Sequence, residues 1–571
     1  NEKGEWIELD KNGFYRVTEA LSVEQIEAKR MASSKRAALA AYPLNVAPRG
    51  LVILVNFSDV AFETEKAEMD SMLIGENYTR NYSYSYKGKT YSVNSKGSAR
   101  QYFQDASNGQ YNPQFDVIGP VTVSNNVSYY GKNDSYGNDM YADKMVSEAC
   151  KLADTEFDVD FTQYDNDNDG YVDCVHVIFA GRGLSYGTPA DGLIWEHAFN
   201  IGNAISKNGK KAYRYIITPE LNYYHAIAPV GTICHELGHI FGSPDYYDAS
   251  DIFHAMGKYD VMDEGSWNNS GWSPSHHNPY TKCYIFGWDA PTLMNATTDN
   301  YTLSSTTTNK GHFYRINTNT DGEYFLLENR IKKQFDAGIP NGGLLFYHIH
   351  KNLAACISSR DSINNAHPLK LYLVNALASS NPNSSPSSYG ASNTSRAYPG
   401  NSGNKTMFTN TSIPSAKAWD GSKSDVNICF IKKDSNGDIT FTVNPEIQGA
   451  SQLCGTRDYC VSGIVPNKDV ITWSYSTDIT ELFRYPALCF EEGNIGACVP
   501  IKRGNMSNMS IGPIIPEDTT IVMARYSVPA PVAGDPYVGS TKLYATITFH
   551  KTDILVFGKS DTLDKLLKEF K

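Results

Sequence analysis

The eleven residues His235-Glu236-Leu237-Gly238-His239-Ile240-Phe241-Gly242-Ser243-Pro244-Asp245 decide how this chain reads. Residues four apart on a helix share a face, with Cβ atoms about 5–6 Å apart, so His235 and His239 can turn their imidazoles toward one metal ion. Glu236 projects beside them, where a carboxylate can take a proton from an attacking water and deliver it to a leaving amine. Gly242 permits the left-handed turn that ends a helix, and Pro244 forbids helical continuation. That reversal carries Asp245 to a third ligand position. His235, His239 and Asp245 are therefore the expected zinc ligands, a fourth position is left for water, and Glu236 is the expected catalytic base and acid.

The flanks agree with this. Ile233, Leu237, Ile240 and Phe241 supply an apolar face to seat the helix. Cys234 adjoins a ligand but points to another face, and reads as a small core residue. Downstream, Tyr259-Asp260-Val261-Met262-Asp263-Glu264-Gly265-Ser266-Trp267 has the Asp, Gly and Ser content of a tight turn around Met262. A histidine-pair helix, a glycine turn, a third ligand and a methionine turn together make the metzincin pattern, in which the third ligand is most often histidine. Some metzincins place a tyrosine two residues after the methionine; here Glu264 stands there. Glu264 also opens a thermolysin-like alternative, with a glutamate from a second helix as third ligand. Its surroundings, rich in Gly, Asn, Ser and Asp, read instead as loop.

Upstream, Leu51-Val52-Ile53-Leu54-Val55 is a continuous apolar run suited to a strand buried on both faces, and residues 172–180 form another. Between them Asp165-Asn166-Asp167-Asn168-Asp169-Gly170-Tyr171-Val172-Asp173 carries carboxylates at alternate positions and glycine at the sixth. The spacing suits calcium, with oxygens from Asp165, Asp167, Asp169 and Asp173 and the Tyr171 carbonyl. The twelfth position is His176 rather than glutamate and a strand follows, so a structural ion is expected rather than an EF-hand; an Asx-rich turn is the plainer reading. Gly192-Leu193-Ile194-Trp195-Glu196-His197-Ala198-Phe199 reads as an edge strand, with Ile194, Trp195 and Glu196 placed to pair with extended substrate. His197 is expected to be structural.

With these blocks in hand, the chain resembles the immune-inhibitor-A-like family of secreted metallopeptidases. The resemblance rests on the zinc helix followed by Pro244-Asp245-Tyr246-Tyr247-Asp248, and on blocks at Gly50–Asp59, Phe115–Val121, Tyr324–Arg330 and Gly342–His348. It covers residues 48–350 and fades beyond. It implies a secreted or cell-surface zinc endopeptidase acting on extracellular or host proteins, an Asp-rich turn at the calcium-type loop, and a pro-segment ahead of the catalytic domain.

A length of 571 residues exceeds one core and suggests several units. Residues 1–47, with helical spacing over 23–41, read as an N-terminal helical segment and possible pro-segment remnant. No cysteine precedes Cys150, so no cysteine of residues 1–149 caps the metal. Residues 48–295 are expected to form a metzincin-like α+β catalytic domain, with a helix near 278–287. Residues 296–446 are expected to be a β-sandwich domain containing a long loop at 379–404, and 447–571 an immunoglobulin-like β domain with strands near 470–475, 520–526 and 543–549. Cys454, Cys460, Cys489 and Cys498 fall in this last domain, and three pairings are open.

The net charge of −12, without a long Lys/Arg run, argues against a nucleic-acid partner. No stretch of 18 apolar residues spans a membrane. A chain beginning at Asn1 without a signal peptide is consistent with a trimmed, secreted form. The expected partners are protein or peptide substrates, with a glycan or matrix target for the C-terminal module. A competing reading is a non-catalytic, metal-containing adhesin or glycan-binding protein. Glu236, which metal binding does not need, argues against it.

Overall fold

The structure, a computed structural model, describes residues 42–444 apart from 45, 87–88, 136, 188–191, 249–252, 298, 305–312, 360–362, 402–404 and 411. Outside that span it describes only the backbone of β1 (Ile7–Leu9), β2 (Tyr15–Val17) and six strands between residues 459 and 550. The helix expected over 23–41 and the side chains of Cys454, Cys460, Cys489 and Cys498 lie outside the described residues.

The region up to residue 295 is built on β3 (Arg49–Asn56), the hairpin β4 (Asn81–Tyr86) and β5 (Lys89–Asn94), β6 (Gln114–Thr122), β7 (Tyr171–Val172), β8 (Val175–Arg182), β9 (His197–Lys207) and β10 (Lys210–Leu221). The main sheet has the order β6-β3-β8-β10-β7, all parallel, and β9 runs antiparallel to β10. Alternation along each strand explains the apolar runs. On β3, Val52 and Leu54 enter one core while Leu51, Ile53 and Val55 enter the other. The helix Ala142–Phe157 covers the second core through Met145, Val146, Ala149 and Cys150. The helices Ala99–Ala106 and Val230–Ile240 cover the first through Tyr102, Phe103, Ile233, Cys234, Leu237 and Ile240. Helices on both faces of a sheet give the region its mixed α/β character.

Two expected strands come out differently. The run over 172–180 is broken between Val172 and Val175 because Asp173 turns inward: its N–H donates to the Tyr164 carbonyl (2.9 Å), and its carboxylate accepts from Asn166. The strand expected to include Ile194, Trp195 and Glu196 begins only at His197. Ile194 is fully buried and its carbonyl accepts the Leu184 N–H (2.8 Å), while the Trp195 N–H donates to Asp139 (2.8 Å). Glu196 is buried against Gly183, where a Cβ would collide with its carboxylate. The Ile194 carbonyl and the Trp195 N–H are thus engaged within the fold ahead of the strand. The helix expected near 278–287 is one π-helical turn, Thr281–Ile285.

Residues beyond 295 continue the same core. Strands Thr292–Leu293, Tyr314–Asn317, Tyr324–Arg330, Gly343–Ile349 and Leu371–Leu373 form a five-stranded sheet in that order. Leu326, Leu345, Tyr347, Leu371 and Leu373 share one apolar cluster with Ile233, Leu237 and Met262. One compact unit accordingly comprises Asn1–Asn295, Thr302–Val426 and Ile431–Thr440. The second unit contains Phe441–Lys571, where Tyr459–Ile464, Ile521–Ser527, Ala487–Glu492 and Ile495–Pro500 make a four-stranded sheet and Val470–Asp478 pairs with Lys542–His550. Cys489 and Cys498 stand opposite each other in that register. No helix among the described residues is long and apolar enough to cross a membrane.

Candidate metal centre

The helix Val230–Ile240 follows β10 directly and buries Ile233, Cys234, Leu237 and Ile240. It ends at Phe241 and Gly242, whose φ of +101° reverses the chain, and the Ser243 N–H returns to the Gly238 carbonyl (2.9 Å). This turn delivers Asp245 to the histidines. Its Oδ1 lies 3.2 Å from His235 Nε2 and 3.3 Å from His239 Nε2.

The far nitrogens fix the imidazoles. His235 Nδ1 is 2.8 Å from the Val261 carbonyl, and His239 Nδ1 is 3.0 Å from the Ser243 carbonyl. A carbonyl at Nδ1 selects the tautomer with its proton there, which leaves the Nε2 lone pair facing Asp245. One ligand atom from each of His235, His239 and Asp245 falls within 4.8 Å of the others. Burial opposes a charge on His235, yet Asp245 beside it outweighs burial and lifts the imidazole to about 9. Against the same cost of burial, the charges of His239 and His235 hold Asp245 well below the usual carboxylate range. A cluster that stabilises positive charge in this way fits a divalent cation. Glu236 is buried on the same helix, between the two histidines in sequence.

Met262 forms the floor. A Cβ on Gly238 would overlap its Sδ and stand 3.2 Å from His277 Nε2, so only glycine lets the sulfur approach the ligand helix. Asp260 shapes the turn by accepting the Met262 N–H (2.8 Å) and both the backbone and side-chain N–H of Asn278. Asp263 accepts from Met256, Gly257 and Glu264, and burial pushes its carboxyl up to about 8. The Tyr246 N–H donates to the Met262 carbonyl (2.9 Å), tying the ligand loop to the turn. Glu264, the alternative ligand, faces His254 instead (3.4 Å) and stands outside the ligand cluster. His197 is occupied by the Trp195 carbonyl and the Tyr215 hydroxyl.

Residues 45–286 match the immune inhibitor A peptidase M6 catalytic domain. The chain is also 27% identical, over 274 residues, to the pre-pro-metalloprotease PrtV of Vibrio cholerae serotype O1; this covers 41% of the chain and 29% of that protein. It is 30% identical, over 217 residues, to immune inhibitor A of Bacillus thuringiensis subsp. alesti, covering 32% of the chain and 31% of that protein. The chain thus spans under a third of the length of these curated relatives. The M6 match contains the zinc-type helix, Asp245 and Met262.

A second cluster within the M6 region joins Asp165, Asp167 and Asp173. Asp165 accepts the Asp169 and Gly170 N–H groups and pairs with Lys210. Asp169 stands apart, accepting the Tyr171 N–H (2.8 Å). Sequence reasoning did not single out Tyr247, whose ring stacks on His235 at 6.5 Å, or the buried Arg330 and Arg396, which bond the Tyr259 and Ala255 carbonyls near the methionine turn. An arginine closing the apolar run Tyr324–Arg330 was the one available signal.

Proposed function

We propose that this chain is a zinc metalloendopeptidase with His235, His239 and Asp245 as ligands and Glu236 as general base and acid. The observation that carries the reading is the convergence of two carbonyl-oriented imidazole Nε2 atoms and one carboxylate oxygen beside a buried glutamate. Zinc, when bound, supplies the Lewis acidity that polarises a carbonyl and makes water nucleophilic at neutral pH. Glu236 takes the proton of the attacking water, holds it in a buried setting, and delivers it to the departing amine. Asp245 adds negative charge that two neutral imidazoles lack. Met262 keeps the ligand helix in place.

A metzincin-like fold is supported by an antiparallel outer strand, the helix that follows β10, the Gly242 reversal and a buried methionine below the ligands. On this reading β9 offers its free edge to extended substrate. Calcium at Asp165, Asp167 and Asp173 is supported by their convergence and by Asp173 Oδ1, which is buried without a hydrogen bond. The Tyr171 carbonyl and Asp169 belong to this proposal as further ligands. Secretion, proteins of the surroundings or a host as substrates, an immunoglobulin-like module over 447–571 and a targeting role for it complete the reading, while the expected separate β-sandwich domain over 296–446 gives way to the shared core.

Metal analysis of purified protein, with casein hydrolysis in the presence and absence of a zinc chelator, tests the whole. About one zinc per chain with chelator-sensitive cleavage is the expected result. Protein that takes up no zinc on reconstitution would return the reading to a binding protein.

A further inference from the structure

Tyr259 lies two residues before Val261, whose carbonyl orients His235, and three before Met262. It is fully buried and held at both ends by residues from beyond position 320. Its carbonyl accepts Arg330 Nη1 (2.6 Å). Its hydroxyl donates to Asn341 and accepts the Arg396 N–H (3.1 Å). The same two arginines gather the neighbouring backbone. Arg330 also donates to the carbonyls of His276 (3.3 Å) and His277 (2.9 Å), and Arg396 to those of His254 (2.7 Å) and Ala255 (2.7 Å).

These carbonyls belong to segments outside the named strands, and burial makes each unpaired group costly. A guanidinium meets several at once because it presents five donors in a rigid fork; an ammonium cannot span them. The charge of Arg330 is itself balanced by Glu328 (2.7 Å) and Asp336 (3.5 Å), all three fully buried. The bonds form an unbroken sequence from the five-stranded sheet to the ligand: Glu328, Arg330, the Tyr259 carbonyl, two residues of chain, the Val261 carbonyl, His235 Nδ1.

We infer that Arg330, Arg396 and Tyr259 are positioning residues of the metal centre, so that the sheet beyond residue 295 is a working part of the catalytic unit. The inference rests on His235, His239 and Asp245 holding a metal. The turn is where the effect is read: a displaced Val261 carbonyl lets the His235 ring swing and loosens the ion, without touching the substrate edge.

The test compares zinc release to a chelator in the unaltered 571-residue chain and in Tyr259→Phe, Arg330→Lys and Val177→Ala. Val177 is fully buried in the core on the opposite face of the sheet and serves as a variant that is destabilised without touching the turn. Tyr259→Phe leaves every charge in place, and carries the test if Arg330→Lys does not fold. Both turn variants are expected to release zinc roughly 10-fold faster, with kcat reduced and KM little changed, while Val177→Ala releases it at the wild-type rate. Wild-type release from folded Tyr259→Phe and Arg330→Lys, or equally fast release from Val177→Ala, overturns the positioning role. Wild-type protein that binds no zinc overturns the metal-centre reading as well, so the two failures are distinct.

Discussion

Met262 and Gly238 meet sulfur to backbone: the thioether of the turn occupies the space that a Cβ on the ligand helix would need. His235 and His239 flank Gly238 in sequence, so the height of the helix above the turn sets where both rings reach. Gly238→Ala is expected to destabilise the protein by about 1–3 kcal/mol through overpacking. Adding Met262→Ala should return part of that loss, and urea denaturation of both single variants and the double measures the coupling. Strictly additive losses would show that the two residues do not share the space.

Glu236→Gln keeps the shape of the side chain and removes the base. Bound zinc should remain near one per chain while kcat/KM on a peptide falls by roughly 10²–10⁴-fold. Elemental analysis beside a peptide assay reads both quantities. Unchanged turnover would remove Glu236 from the mechanism.

Burial, with the charge of Glu236 adding to it, pushes the Glu196 carboxyl up to about 7. The folded chain therefore binds this proton more tightly than the unfolded chain. Its contribution to stability is complete below the ordinary glutamate range and is lost as pH rises through about 7, a swing on the order of 3 kcal/mol. Glu196→Gln should flatten that part of the stability profile between pH 5 and 8. An unchanged slope in urea titrations at those two pH values would place the titration elsewhere.

Asp173 is raised to about 6, chiefly by burial, so ionising it in the folded chain works against stability as pH rises through that value. Calcium held with Asp165 and Asp167 would reverse this cost. The melting temperature at pH 7.5 should rise with added calcium, and the gain should shrink at pH 5, where protons compete. Asp173→Asn should abolish the gain. A calcium-independent Tm at both pH values would leave the loop as an Asx-rich turn braced by Lys210.

The candidate metal site was legible because its chemistry is local. His235, Glu236, His239, Gly242 and Asp245 lie within eleven residues, and helix geometry with one glycine reversal is enough to bring the ligand atoms together. The buried strands β3 and β8 were legible for a related reason, since continuous apolar runs have few other uses. The break at Asp173 was not legible, because hydropathy does not say whether a carboxylate points to solvent or turns inward toward Asn166. The segment Ile194–Glu196 was misplaced because alternation does not say whether a backbone N–H meets a neighbouring strand or the carboxylate of Asp139.

By itself, then, the sequence determined the candidate ligand types, their spacing, the helix that carries them and the glutamate proposed to move a proton. Only the tertiary structure decided what holds that helix at its working height. The contacts that do so join Tyr259 to Arg330 across 71 residues and to Arg396 across 137. A guanidinium on a loop carbonyl and a backbone N–H on a phenol hydroxyl leave no periodicity in the chain; they exist only after the sheet beyond residue 295 has packed into the core that the ligand helix also fills.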